Sequence, residues 1–301
     1  MITMPDRPKR LITHSEEFHT DDVFATALLL HIFPDAEVIR SRNETIITTG
    51  DIVYDVGKLY DPSRERYDHH QEQADRRDNG IIYSSFGLLW KKYGTEYCDG
   101  NEAVAKVIDQ KLVTPIDAND NGQAILTSSY DDIYPFTIDD VIKIYNPLHW
   151  LDEQEVYDVQ FRKAIQLAQK ILSRLRRSVE DNIASQKELL KAYKNAEDKR
   201  IVLMEKPAEV RGILDQCPEL IYLISPRPEG TWGTLAVPTD EKSFTSRHPF
   251  PETWRAKPVA DLPDITGVPD ALFCHATGFY AVAQSQESAI TLAKNALATT
   301  D

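Results

Sequence analysis

In the first 57 residues short apolar runs alternate with one helical segment, and this order restricts the fold more than any other feature of the chain. Residues 10-RLITHS-15 read as a short buried strand. A polar stretch, EEFHT, leads into 22-DVFATALLLHIF-33, where Val23, Phe24, Ala27, Leu28 and Leu30 recur at helical spacing until Pro34 stops the pattern. Residues 36-AEVIRS-41 and 51-DIVYDVG-57 read as further strands, the second ending at Asp55 with Gly57 allowing a turn. Strand, helix and strand in succession imply an α/β fold with a mostly parallel sheet and helices on both faces. Such sheets bind ligands outside the carboxyl ends of their strands. His14 and Asp55 both stand at such ends.

Two helices are expected next, over 83–93 with a stop at Gly94, and over 101–114, which delivers the stretch 115-PIDANDNG-122. Thr137 and Asp140 have capping-box spacing for a short helix over 138–145, and Asn146-Pro147 then breaks the chain. From 153 to 196 apolar residues from Phe161 to Tyr193 recur every three or four positions without proline or glycine, as one long helix or two. Residues 201-IVLME-205, 220-LIYLISP-226 and 231-TWGTLAVP-238 read as strands of a second sheet. The stretch 271-ALFCHATGFYAVA-283 reads as a last strand, followed by a helix over 286–298. The expected organisation is a domain over 1–150, a helical connector over 151–198 and a smaller C-terminal α/β domain over 199–301.

Composition narrows the function classes. No run of eighteen apolar residues exists, which predicts no membrane span, and the polar start MITMPDRPKR predicts no signal peptide. Cys98, Cys217 and Cys274 are isolated and odd in number, which suits a reducing compartment, the cytoplasm, and gives neither a disulfide framework nor a zinc knuckle. The net charge of −14 argues against broad nucleic-acid affinity. Residues 160–200, however, carry eleven Lys/Arg and five Asp/Glu, a net of +6 that leaves −20 for the rest. That stretch is either a solvated helix face or a surface that tracks a polyanion.

Four of the eight histidines fall in two short segments beside aspartates. His14 and His19 precede Asp21-Asp22, and Asp55 precedes Asp68-His69-His70. A third segment holds Asp117 and Asp120. Adjacent side chains on a strand point to opposite faces, so a core has no general use for His-His, whereas a metal site has. Mixed His and Asp clusters suit two-metal phosphoester hydrolysis, in which two divalent ions clamp the attacking and leaving oxygens. One carboxylate must bridge the ions, and the strand-end Asp55 is the rigid choice. Nitrogen and oxygen ligands together favour manganese, iron or zinc over magnesium, with manganese preferred. Asp21 or Thr20 as a helix cap, and Asp120-Asn121-Gly122 as an ordinary turn, are the plain structural alternatives.

The segments 13-THSEEFHTDD-22, 51-DIVYDVGKLYDPSRERYDHHQ-71, 116-IDANDNG-122, 145-YNPLHW-150, 243-SFTSRHPFPETWR-255 and 267-GVPDALFCHATGF-279 resemble the melanocyte-proliferating-gene-one (MYG) family of DHH-like hydrolases. That family lies within the DHH phosphoesterase superfamily. The resemblance runs nearly end to end and implies a DHH phosphoesterase-like fold. It implies that His14, His19 and Asp55 hold one metal, and that Asp21, Asp55, His69 and one of Asp117 and Asp120 hold the other. His70 would touch the substrate phosphate or protonate a leaving group, with Asp68 orienting the histidines. In the C-terminal domain Arg247 and His275 would bind phosphate across a cleft. The family's glycine between the first two histidines, and its Cys-Asp-Glu after the second, are replaced here, without loss of an assigned ligand.

The clustered His and Asp residues make the chain a metal-dependent hydrolase, and the resemblance implies a 3′–5′ exonuclease acting on single-stranded RNA or short oligonucleotides. The basic 160–200 stretch, Trp232 and Trp254 are candidate contacts to the strand. The alternatives are a small-molecule phosphohydrolase acting on pyrophosphate or a nucleotide, and a metal-stabilised regulatory protein without turnover. The oligomeric state is left open, a homodimer being one option.

Overall fold

The computed structural model describes residues 7–148, 150 and 156–299. His149 and residues 153–155 of the expected long helix lie outside the described residues. The chain divides into two compact units, 1–179 and 180–301.

The first unit runs β1 (Arg10–Thr13), α1 (Thr20–Ile32), β2 (Glu37–Arg40), α2 (Glu44–Ile47), β3 (Ile52–Tyr54), β4 (Tyr60–Asp61), β5 (Arg66–Tyr67), α3 (Ser85–Tyr97), α4 (Glu102–Ile108), α5 (Thr114–Asp120) and α6 (Ile138–Lys143). Its sheet has the order β2-β1-β3-β5-β4. Strand β1 pairs in parallel with β2 and β3, β3 in parallel with β5, and β4 closes the edge antiparallel to β5. Three parallel neighbours, β1, β3 and β5, therefore end on the same side, and His14, Asp55 and Asp68 are the residues at or just past those ends. Helix α1 is buried from Thr20 through Leu29, charged residues included, because it packs among other elements rather than on the surface.

Gly94 does not end α3, which continues to Tyr97. A Cβ at Gly94 would lie 2.7 Å from the Trp90 indole, so the glycine makes room for a ring rather than stopping the helix. The stretch 115–122 is helical through Asp120, since a π-helical turn over Asp109–Val113 precedes Pro115. The wider turn lets a residue without an N–H enter the helix.

Helix α7 (Tyr157–Asn195) is one uninterrupted helix, and the division between the units falls within it. The second unit continues with β6 (Ile201–Leu203), β7 (Tyr222–Pro226), β8 (Trp232–Ala236), α8 (Leu262–Thr266), β9 (Ala271–Cys274), β10 (Tyr280–Ala283) and α9 (Gln286–Ala298). Its mixed sheet has the order β6-β7-β8-β10-β9, parallel only at β6–β7. Alternation along β7 sends Tyr222 and Ile224 to a core with α9, and Leu223 to a core with Leu189 and Tyr193 of α7. The run 271–283, read as one strand, is a hairpin: it reverses at 275-HATGF-279, where the His275 N–H donates to the Tyr280 carbonyl at 2.8 Å. Among the described residues no helix is long and apolar enough to cross a membrane.

Candidate metal centre

Each arm of the centre starts where a strand stops. Asp55 follows β3 with φ of +55°, a left-handed conformation that costs a non-glycine residue on the order of 1 kcal/mol and that aspartate tolerates better than most. The turn carries the carboxylate into a pocket where it is buried. Its two oxygens face different histidines: Oδ2 is 3.1 Å from His14 Nε2, and Oδ1 is 3.4 Å from His69 Nε2. Burial pushes the Asp55 carboxyl up, but His14 and His69 outweigh it and hold it well below the usual carboxylate range.

Asp68 is buried just past β5 and organises the next two residues. Its oxygens accept from the Lys58 N–H at 2.5 Å, the His70 N–H at 3.0 Å and His70 Nδ1 at 2.8 Å. Residues 68–70 lie outside any strand, so the paired histidines need not diverge. His69 Nε2 reaches Asp55 and, at 3.2 Å, Asp120 Oδ2, while His70 Nδ1 stands 3.6 Å from Asp55 Oδ1. The His70 side chain is 60% exposed, against 7% for His69.

Helix α1 begins two residues earlier than its apolar spacing predicts, with His19 as N-cap, so Asp21 and Asp22 occupy its first turn. Asp22 Oδ1 accepts the His19 N–H at 2.9 Å, and its Oδ2 lies 3.4 Å from His14 Nε2. Burial raises the Asp22 carboxyl to about 7, with His14 opposing. Burial, then the charges of Asp120, Asp55 and Asp22, raise Asp21 well above its ordinary value. Burial raises Asp120 to about 6, with His69 opposing. The sequence left Asp22 without a role; its signal was the Asp-Asp pair behind His19, at a helix start.

Three sets of side chains bring potential ligand atoms within 4.8 Å of one another: His14, His19 and Asp55; Asp55, His69 and His70; Asp21, His69 and Asp120. Both Asp21 oxygens, Oδ2 of Asp22, Oδ2 of Asp120 and Nε2 of His14 are buried without a hydrogen-bond partner of ordinary geometry. Unsatisfied buried polar atoms are costly, and four carboxylates crowded beside imidazoles suit a cation as their missing partner. His14 Nδ1 lies 3.2 Å from the Ser15 carbonyl, the second contact that fixes the tautomer of a ligating histidine. The residues therefore fit divalent metal.

Other expected residues stand elsewhere. Asp117 is satisfied by Arg77 Nε at 2.7 Å and by the N–H and hydroxyl of Ser84 at 3.0 and 2.7 Å. A Cβ at Gly87 would lie 2.3 Å from its carboxylate, so the glycine lets α3 close over it. Of the pair left open by the sequence, Asp120 joins the cluster and Asp117 does not. Arg247, expected to bind phosphate, donates from its two Nη atoms to the carbonyls of Leu214, Cys217, Pro218 and Leu220 within the second unit. His275 pairs with the hydroxyl and N–H of Thr277 in the hairpin turn. Trp254 is 3% exposed and stacks on Phe250, so it offers no face to a base, and Trp232 packs on the same core.

Comparison with known proteins covers the chain nearly end to end. A family model described as Uncharacterised protein family (UPF0160), MYG1_exonuc, matches residues 10–297. The human protein MYG1 exonuclease is 30% identical over 337 aligned residues, covering 97% of this chain and 86% of its own length. MYG1 protein C27H6.8 of Caenorhabditis elegans is 28% identical, with 95% and 94% covered, and MYG1 protein YER156C of Saccharomyces cerevisiae is 28% identical, with 96% and 96% covered. A match of this extent, across animals and yeast, makes the chain a member of the MYG1_exonuc family, UPF0160.

Proposed function

We propose that this chain is a metal-dependent phosphodiester hydrolase, a 3′–5′ exoribonuclease that uses two divalent ions, manganese by preference. The observation that carries the reading is the position of Asp55, with one oxygen at the His14 set and the other at the His69 set. In this assignment His14, His19 and Asp55 hold one ion, and Asp21, Asp55, His69 and Asp120 hold the other. When bound, such ions polarise phosphoryl oxygens and lower the pKa of bound water. Mixed imidazole and carboxylate donors favour manganese over magnesium.

His70 has a different task from His69. Asp68 holds its Nδ1 and leaves Nε2 as the nitrogen that meets substrate, with the ring mostly exposed. In that orientation His70 can donate a proton to a leaving oxygen or bind a phosphate oxygen.

A nuclease substrate is supported by the human and bovine relatives named MYG1 exonuclease. Polarity and RNA come from the family resemblance. The first half of α7 adds a physical argument. Residues 159–179 contain six Lys/Arg and no Asp or Glu in a chain of net charge −14. Arg162, Lys163, Lys170, Arg174 and Arg177 are exposed there. Such a face can track the backbone of a short single strand. Three buried cysteines outside any disulfide are compatible with the cytoplasm.

The test is turnover by metal-quantified protein on 5′-labelled single-stranded RNA, a dinucleotide and pyrophosphate, with manganese and with chelator. Stepwise shortening that chelator and His70→Ala both abolish supports the exonuclease reading. Cleavage of pyrophosphate alone moves the activity to small phosphoanhydrides. Two bound ions and no turnover on any of the three reject the reading.

A further inference from the structure

We infer that Arg42, Lys58 and Lys143 form a phosphate-binding rim above the metal centre; the inference rests on the hydrolase reading and extends it to the substrate's phosphate group. The cavity at the centre has a volume of about 580 Å³, and these three cations line it together with His14, Asp55, Asp120 and His70. They come from separate elements. Arg42 lies two residues beyond β2, Lys58 lies in the turn after β3, and Lys143 ends α6. The Lys58 backbone is pinned, since its N–H donates to Asp68 and its φ is +55°.

The fold pairs many of its other cations in this unit. Arg40, Arg77, Lys91 and Lys92 each reach a carboxylate within 3.2 Å. Among the described residues Arg42, Lys58 and Lys143 reach none, although Glu17 and Asp139 line the same cavity. Asp139 is drawn to Thr20 and Asn119 instead.

Arg42 carries the strongest argument. One of its Nη atoms lies 3.2 Å from His14 Nδ1. The same Nδ1 lies 3.2 Å from the Ser15 carbonyl. A His14 that offers Nε2 to a metal keeps its proton on Nδ1 and donates it to Ser15. That tautomer has no lone pair for Arg42, whose guanidinium fork is then left at the edge of the metal cluster without an acceptor. A phosphate held at the metal centre would present free oxygens as the acceptor, and Arg binds such a pair bidentately.

The test is isothermal titration of inorganic phosphate into the manganese-loaded full chain, comparing wild type with Arg42→Gln, Lys58→Gln and Lys143→Gln. Metal content and dinucleotide cleavage are measured alongside. Arg42→Gln is expected to weaken phosphate binding by about tenfold or more, the size of a lost charge-assisted hydrogen bond, with manganese content unchanged. Arg42→Lys is expected to recover only part, because it restores charge without the fork. Each lysine variant is expected to lose roughly threefold, as one point charge at the rim. Unchanged phosphate affinity in all three Gln variants, or no phosphate binding by loaded wild type, overturns the rim. If the dinucleotide is still cleaved in that case, the hydrolase reading stands without it. If wild type cleaves nothing while Arg42→Gln loses phosphate, the rim stands and the hydrolase reading fails.

Discussion

Asp117 and Asp120 sit one turn apart on α5, and their surroundings are opposite. Asp117 receives three hydrogen bonds from Arg77 and Ser84, and the rest of the Arg77 fork closes on Asp109 at 2.7 and 2.9 Å. Asp120 has a buried oxygen with no hydrogen-bond partner and another acid, Asp21, beside it. Burial raises both carboxyls to about 6, but a guanidinium and the donors of Ser84 oppose it at Asp117, whereas the first group opposing it at Asp120 is the His69 imidazole. A buried carboxylate that the protein satisfies is part of the scaffold; one that it leaves unsatisfied, among imidazoles, is prepared for something the chain does not encode.

The largest expected effect comes from removing Asp55, the carboxylate common to two of the candidate ligand sets. Asp55→Asn is expected to lower turnover by about a thousandfold or more, since metals contribute several kcal/mol of transition-state stabilisation. It is also expected to reduce both ions in metal analysis. Two retained ions with normal turnover would remove Asp55 from the bridging position and with it the contrast between prepared and satisfied acids.

The comparison itself is tested by exchanging the two helix positions. Asp117→Ala is expected to destabilise the fold by about 2–4 kcal/mol, because it strips a partner from buried Arg77 and from Ser84. Metal content of the folded fraction should stay at the wild-type value. Asp120→Asn is expected to do the reverse. With chelator present its denaturation midpoint should match or exceed wild type, because a like charge beside Asp21 is gone. Without chelator its metal content should fall, and so should the stabilisation that metal gives wild type. Equal stability losses in the two variants would show that α5 carries two scaffold acids. His70→Ala is a smaller kinetic counterpart: about a hundredfold in turnover, the ordinary worth of a positioned acid or base, with both ions kept.

The same contrast explains what could be read from the sequence. His14 and Asp55 were legible because strand ends in a parallel sheet converge, and Asp68-His69-His70 because a core has no general use for paired histidines; the structure brings these residues together. The choice between Asp117 and Asp120 was not legible, because it is made by Arg77 and Ser84, which lie 40 and 33 residues away in the chain. Arg247, a phosphate ligand by resemblance alone, likewise donates to carbonyls that come from 27 to 33 residues upstream. Trp254 was a candidate stacking residue until tertiary packing set it against Phe250. Local pattern locates elements and their ends. Whether a polar side chain is already spoken for is decided by partners distant in sequence.

Glu65 gives the smallest test and belongs with Asp117. Its carboxylate accepts from the hydroxyls of Tyr67 and Tyr93, each at 2.8 Å, and from Lys92 Nζ at 2.6 Å. Burial pushes its pKa up, but these donors prevail and hold it below the ordinary value, opposite to Asp120. A carboxyl depressed on folding contributes stability above its unfolded pKa and loses it as pH falls through the folded one. Wild type should therefore lose this contribution on acidification below the ordinary glutamate range. Glu65→Gln should cost well under about 1 kcal/mol near neutrality, because the site is partly exposed. Its denaturation midpoint should also fall less steeply on the acid side. A Gln variant with the same acid slope as wild type would mean that the donors around Glu65 do not favour its charged form, and that the donor count read for Asp117 is a poor guide to which acids the fold satisfies.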